Sequence, residues 1–252
     1  MATGHYCMTD QQRLIKGKDA NKDQTYFLHA LKQKILERVL FPIGHLEKHE
    51  VRRIAQEYGL ATAAKKDSTG ICFIGKRNFK DFLSKHLSCK PGNFETLDGK
   101  VIGQHEGIAY YTVGQRKGLA IGGAGDAWFV VGKDVKRNVV FIEQGASHPA
   151  LFADELIAKD LTYIDEEINH FPYTCTTKIR YRQQDQPAII ESIKDGKAII
   201  KFLVPQRAIT PGQSVVLYKE NVCLGGGVIE TPGPSYYAMD KELPKEISHN
   251  TI

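Results

Sequence analysis

The chain has 252 residues, of which 42% are hydrophobic and 25% charged, with five cysteines and a formal net charge of +5. This is enough chain for two or three globular domains, and the composition excludes a disordered or fibrous protein. No apolar run reaches the ~18–20 residues of a membrane-spanning helix, and the opening M-A-T-G-H-Y-C-M-T-D-Q-Q-R lacks the basic-then-apolar pattern of a secretory signal, so a cytoplasmic protein away from membranes is expected.

After a short opening segment, Phe27, Leu28, Leu31, Ile35, Val39 and Leu40 recur at helical spacing from Asp23 onward, and Pro42 closes the run. A second helix is predicted from about Glu47, carrying Val51, Ile54, Ala55 and Tyr58 on one face and Gly59 at its C-terminal end. The loop A-K-K-D-S-T-G-I-C-F-I-G follows, then a third helix capped by Asn78 and carrying Phe79, Phe82 and Leu83. After Pro91 the pattern turns to strands. Asp98-Gly99 marks a hairpin between Phe94–Leu97 and Val101–Ile102, and Trp128–Val131 pairs with Val139–Ile142. Thr174–Arg182 alternates, with Cys175, Ile179 and Tyr181 on one face and Lys178, Arg180 and Arg182 on the other. Ala188–Ile193 and Ala198–Leu203 flank a second hairpin turn at Asp195-Gly196, and Ser214–Tyr218 and Val222–Glu230 complete what reads as a small closed β-barrel. From Thr231 the proline-rich end is expected to be loose. The opening, helical and without strands of its own, reads as the tail of something larger.

The cysteines stand at 7, 72, 89, 175 and 223, odd in number and with no C-x-x-C, which fits neither a zinc ligand set nor a disulfide framework; no metal site is expected. Cys72 lies in a glycine-flanked loop just after Lys65 and Lys66, whose charge favours thiolate; packing between Ile71 and Phe73 would explain it equally. Gly4-His5 could admit a phosphate or ribose, or be a plain turn. In Asn21-Lys22-Asp23-Gln24, Lys22 could hold a phosphate while Asp23 caps a helix. Gln115-Arg116-Lys117-Gly118 and Arg180-Tyr181-Arg182 mix cations with aromatics or glycine, as RNA contacts do, although a solvated polar face accounts for them nearly as well. Pro211-Gly212-Gln213 reads as a turn, and Gly225-Gly226-Gly227 as a barrel bulge rather than a phosphate loop. The mildly basic balance suits a polyanionic partner.

Taken in order, A-T-G-H-Y, N-K-D-Q-T-Y-F-L, F-P-I-G, K-K-D-S-T-G-I-C-F-I-G, Y-Y-T-V-G-Q-R-K-G-L, K-I-R-Y-R, T-P-G-Q and C-L-G-G-G resemble the bacterial tRNA-specific 2-thiouridylases, the MnmA/TrmU family, over residues 2–230. The resemblance implies an α+β multidomain protein. Residues 1–75 would be the remnant of an α/β nucleotide-binding domain of the adenine nucleotide alpha hydrolase-like kind. Residues 76–149 would form a small mixed central domain, 150–232 a C-terminal tRNA-binding β-barrel, and 233–252 a flexible tail. It implies an enzyme that uses ATP, with Mg²⁺, to adenylate the 2-oxygen of the wobble uridine of tRNA, which a cysteine persulfide then replaces with sulfur. By the same resemblance Cys72 is the persulfide-bearing catalytic residue and Gly4 contacts ATP, while His5, Lys22, Asp23, Gln24, Arg180, Tyr181 and Gln213 contact tRNA. The implied partners are tRNA and a sulfur relay or cysteine desulfurase, and the protein is expected to be a monomer. The family's S-G-G-x-D-S phosphate loop, its N-P-D segment and its first catalytic cysteine have no counterpart here. The chain is therefore expected not to thiolate alone, and apolar faces such as Phe27, Leu31 and Ile35 to lack part of their cover. A catalytically silent tRNA-binding module and a persulfide carrier are the alternatives.

Overall fold

The computed structural model describes residues 1–65 and 90–245; Cys72, its loop, Cys89 and the helix predicted from Asn78 lie outside the described residues. The chain divides into two compact units. One comprises Met1–Lys66, Asp154–Pro205 and Pro211–Gly233; the other comprises Asp67–Ala153, Gln206–Thr210 and Pro234–Ile252. The fold is mixed α+β with few helices.

The first unit opens with strands β1 (Cys7–Asp10) and β2 (Arg13–Lys16), an antiparallel hairpin where the sequence predicts no strands. Its two-residue turn is Gln11-Gln12, both at positive φ (46° and 67°). This is the geometry that right-twisted strands require, here without the glycine or asparagine that usually announces it. The single helix expected from Asp23 is instead two short ones, α1 (Thr25–Leu28) and α2 (Gln33–Leu36). Between them Lys32 is extended, and the Gln33 amide donates to the Ile164 carbonyl at 3.1 Å, so a tertiary contact takes the bond that would have continued the helix. Helix α3 (Lys48–Glu57) starts near its predicted position. The Glu47 amide donates to Glu50 at 2.7 Å and the Lys48 amide to Asp19 at 3.0 Å, which satisfies donors that a helix start leaves unpaired.

The sheet of this unit contains β7 (Phe152–Tyr163), β8 (Tyr173–Lys178), β9 (Gln186–Lys194), β10 (Lys197–Arg207), β11 (Ser214–Lys219) and β12 (Val222–Pro232). Their order is β12-β11-β8-β9-β10-β7, and β12 pairs again with β7, closing a six-stranded barrel. The β1–β2 hairpin continues the sheet from the β12 end through Val222↔Ile15 and Cys223↔Leu14. Closure removes the exposed edges of the barrel strands. Strand β11 is buried on both faces: Val215 and Leu217 alternate with Val216 and Tyr218, and all four are covered. The second pair packs with Cys7, Leu14, Tyr26, Leu36 and Cys223, so the opening segment and the barrel share one core.

Gly225-Gly226-Gly227 is a bulge, as its lack of a following helix suggests: the β12 registers shift between Gly226 and Val228 against β7 and between Leu217 and Tyr218 on β11. A Cβ would stand 2.0 Å from the Thr162 carbonyl oxygen at position 225 and 2.4 Å from that of Val215 at position 226. Glycine is needed because backbone approaches β12 from both sides. Gly44 of F-P-I-G is required in the same way, its Cβ position lying 1.8 Å from the Cys7 carbonyl oxygen.

Within the second unit, β3 (Gly92–Glu95), β4 (Val101–His105), β5 (Trp128–Asp134) and β6 (Val139–Gln144) form a sheet of order β4-β3-β6-β5, with β3 and β6 parallel. Strand β5 is apolar on both faces: Trp128 and Val130 pack with Phe94, Tyr111 and Ile142, while Phe129 and Val131 pack with Leu151 and Phe152. The end of the chain, expected to be loose, is held over its described part. The Tyr236 amide donates to the Phe152 carbonyl at 2.9 Å, and Tyr236 and Leu243 pack on the second of these clusters.

Gly226→Ala tests the closure of the barrel. With two backbone neighbours fixed by sheet hydrogen bonds, the added methyl is expected to cost about 3 kcal/mol, measured as a lower urea midpoint with the slope unchanged.

Candidate nucleic-acid interface

Lys22, Asp23 and Gln24 occupy the loop between β2 and α1. The Asp23 carboxylate is 5% exposed and fully engaged. It accepts from the Gly17 amide at 3.1 Å and the Thr25 hydroxyl at 2.8 Å, and its Oδ2 lies 3.5 Å from Lys178 Nζ. Lys178, expected on the polar face of its strand, is buried and also 3.6 Å from Asp185, which pairs with Lys16. Both lysines lie over the Tyr218 ring, at 4.3 Å and 5.4 Å from its centroid. Gln24 is engaged as well: its side chain accepts from the Tyr6 amide at 3.0 Å, and its own amide donates to the Tyr6 carbonyl at 2.9 Å. That bond ties the loop to His5, whose Nδ1 is 2.7 Å from the Thr3 hydroxyl. Gly4 is exposed, and the nearest atom to its Cβ position is Ile43 Cδ1 at 3.9 Å, so its backbone is open to a ligand.

Tyr26 links this loop to the barrel. Its hydroxyl faces the carbonyls of Ser214 (3.0 Å) and Ile179 (3.4 Å), next to Gln213 and Arg180. Burial raises the Tyr26 phenol, and the positive charge of Arg180 works against that rise. Beside it Phe27 and Tyr181 meet at 4.5 Å between centroids with planes 44° apart, and the Arg182 guanidinium lies 5.3 Å from the Tyr181 centroid. Phe27 is 55% exposed although its periodicity predicts a core position. Ile35 is exposed too, whereas Leu31 packs on the shared core. The first unit thus places Tyr26 against Tyr181 and against the carbonyls that precede Arg180 and follow Gln213, while the Lys22–Gln24 loop is tied through Gln24 to Tyr6, next to His5. Phe27 and Ile35 lack cover as expected, while spacing gave no sign that Phe27 would pair with Tyr181.

Cys7, Cys175 and Cys223 are free, buried thiols, each pushed up to about 12, first of all by burial. At neutral pH they are protonated and poor nucleophiles. Among the described residues no group of histidines, cysteines and carboxylates could hold a metal ion, and no helix is long and apolar enough to cross a membrane. A cleft of about 510 Å³ in the first unit is lined by Asp165, Glu166, Glu167 and Glu220 along with Arg13 and His170. Its carboxylates disfavour phosphate, and none of the residues expected to contact ATP or tRNA lines it.

Three family models match: the tRNA methyl transferase HUP domain over residues 1–76, the tRNA methyl transferase PRC-barrel domain over 80–144 and the aminomethyltransferase beta-barrel domain over 153–229. The tRNA-specific 2-thiouridylase MnmA of Protochlamydia amoebophila is 59% identical over 99% of this chain and 68% of its own length. The chain belongs to the tRNA-specific 2-thiouridylase family. Proteins of the same name from Shouchella clausii and Listeria innocua are 58% and 54% identical over 91% and 92% of the chain, which covers 64% and 63% of their lengths. The chain thus spans about two thirds of the length of these thiouridylases. In family terms the β1–β2 hairpin, the Lys22–Gln24 loop and α1 to α3 fall within the HUP match, and β8 to β11 within the barrel match.

Asp23→Asn tests whether this carboxylate organises the loop. Removing its charge weakens a buried ion cluster and is expected to cost about 3 kcal/mol, read from chemical denaturation of the purified chain.

Proposed function

We propose that the chain serves tRNA 2-thiolation, binding tRNA through the first unit and bearing the transferable sulfur on Cys72. The observation that carries this reading is the exposed Phe27 ring beside Tyr181, with the Arg182 guanidinium over the Tyr181 ring: a stacking surface for an unpaired base with a cation for its phosphate. The similar proteins are tRNA-specific 2-thiouridylases, which points the same way. Lys22 takes a phosphate, His5 and Gln213 flank the RNA, and Asp23 and Gln24 act by positioning the loop, since their side chains are already engaged.

In the reaction that this serves, the 2-carbonyl oxygen of the wobble uridine attacks the α-phosphate of ATP and pyrophosphate leaves; Mg²⁺ would offset the phosphate charge, and the phosphate loop for this step has no counterpart in these residues. Gly4 offers open backbone to the nucleotide. The persulfide sulfur of Cys72 then attacks C2, and AMP departs with the original oxygen. A second thiol cleaves the remaining S–S bond to leave 2-thiouridine. None of Cys7, Cys175 and Cys223 suits that role, because each is buried and protonated. A thiol reductant opens the disulfide that this cleavage leaves on Cys72, and a cysteine desulfurase or relay protein then reloads the freed thiol. The protein acts as a cytoplasmic monomer, with residues 1–75 the nucleotide-binding remnant, 76–149 the central domain and 150–232 the tRNA-binding barrel.

Two measurements test the reading. With a desulfurase and radiolabelled cysteine, the chain is expected to take up sulfur that reductant removes, and Cys72→Ser to take up none while still binding tRNA. Undiminished labelling of the variant would sink the role of Cys72. Phe27→Ala is expected to weaken tRNA binding about tenfold, measured by filter retention at two salt concentrations. Binding unchanged by the loss of this ring would remove the stacking surface from the account.

A further inference from the structure

The second unit carries a cleft of about 490 Å³ that the reading above does not use, walled by Arg116, the loop from Gly118 to Asp126, and Trp128. Its volume suits a single nucleotide-sized ligand. Arg116 is exposed, and no carboxylate among the described residues pairs with it; Lys117 beside it is exposed as well. Trp128 packs on the Phe94–Tyr111 cluster yet is only half-buried, so its ring borders the cleft. The loop is rich in glycine for two different reasons. Gly118, Gly123 and Gly125 have φ of +80°, +127° and +96°, which glycine adopts without strain. Gly122 has no such φ and no atom within 4 Å of its Cβ position, so neither conformation nor packing calls for glycine there. What the missing side chain leaves is backbone open to the cleft.

We propose that this cleft holds one nucleotide of the RNA substrate. Its phosphate lies against Arg116 and the glycine backbone amides, and its base against the Trp128 ring. Its ribose 2′-hydroxyl donates to Asp126, the single carboxylate of the lining. Each contact follows from ordinary chemistry: a guanidinium and unhindered N–H groups take phosphate, an indole face stacks on any base, and a carboxylate accepts from the hydroxyl that distinguishes RNA from DNA. The proposal rests on the reading of the chain as a tRNA-binding protein. A free mononucleotide shares this chemistry, and the test separates the two.

Trp128 is the chain's one tryptophan, so its emission reports on the cleft. The whole chain is titrated with unmodified tRNA and, separately, with AMP, following tryptophan emission and, for tRNA, filter retention in parallel. Transfer RNA is expected to quench the emission over the concentration range in which it is retained. Arg116→Ala should weaken binding and reduce the slope of log K against log salt by about 1. Gly122→Val should abolish the quench with the melting temperature unchanged, since the added side chain meets nothing in the fold. Tyr181→Ala should weaken binding yet leave the quench at saturation. Retention of tRNA with unaltered emission and an unaffected Arg116→Ala variant overturns the cleft and leaves the tRNA reading standing. Quenching by AMP but not by tRNA also overturns it, as a site for a free nucleotide. Failure of the chain to retain tRNA at any salt concentration overturns both.

Discussion

Lys16, Lys178, Asp23 and Asp185 form a charge-balanced cluster against the ring of Tyr218, and the organisation of the first unit depends on it. Lys16 ends the hairpin, Asp23 lies in the loop before α1, Lys178 ends β8, and Asp185 precedes β9. Taking four charges from water is costly, and their mutual attraction offsets that cost only when every partner is present. A slip of the hairpin or loop would leave one charge buried and alone. The cluster therefore selects one arrangement of the opening segment on the barrel, whatever its net contribution to stability.

Tyr218 itself is held by that arrangement. Burial and the nearby carboxylates push its phenol far up, so it stays neutral and its hydroxyl remains 3.2 Å from that of Thr25. Thr25 in turn donates to Asp23. The loop that carries Lys22 is thus fixed from beneath by side chains that never reach solvent, and Tyr26, the next residue, fixes the carbonyls beside Arg180 and Gln213. Rigid support under exposed cations and rings favours recognition, because less side-chain and loop freedom is lost when RNA binds.

The two clefts differ in charge, and so in what they can accept. The one in the first unit is rich in carboxylates, whereas the one in the second presents Arg116, open glycine backbone and an indole ring with a single carboxylate. Only the latter matches a polyanion. Environment also governs the thiols: burial keeps Cys7, Cys175 and Cys223 protonated at neutral pH.

Local chemistry made part of this protein legible. Asp98-Gly99 and Asp195-Gly196 sit at hairpin turns, where Gly99, Asp195 and Gly196 take the positive φ that glycine and aspartate tolerate, and α3 lies close to where its spacing put it. The triple glycine read as a bulge, and the ordered series of motifs identified the family. The β1–β2 hairpin was invisible because Gln11 and Gln12 are held in left-handed conformations by the strands around them rather than by their own preference. The helix expected from Asp23 split because the Ile164 carbonyl captures the Gln33 amide. Lys178 looked like a surface cation and is buried because Asp23, distant in sequence, is brought beneath it. Of the apolar residues expected to lack cover, Phe27 and Ile35 are exposed while Leu31 packs on the core, since periodicity records spacing and not which side of an element is covered. Turn, cap and motif were decided by residues near one another in the chain. Which charges are buried and which ring meets solvent was decided by the tertiary structure, because both depend on partners that only folding brings together.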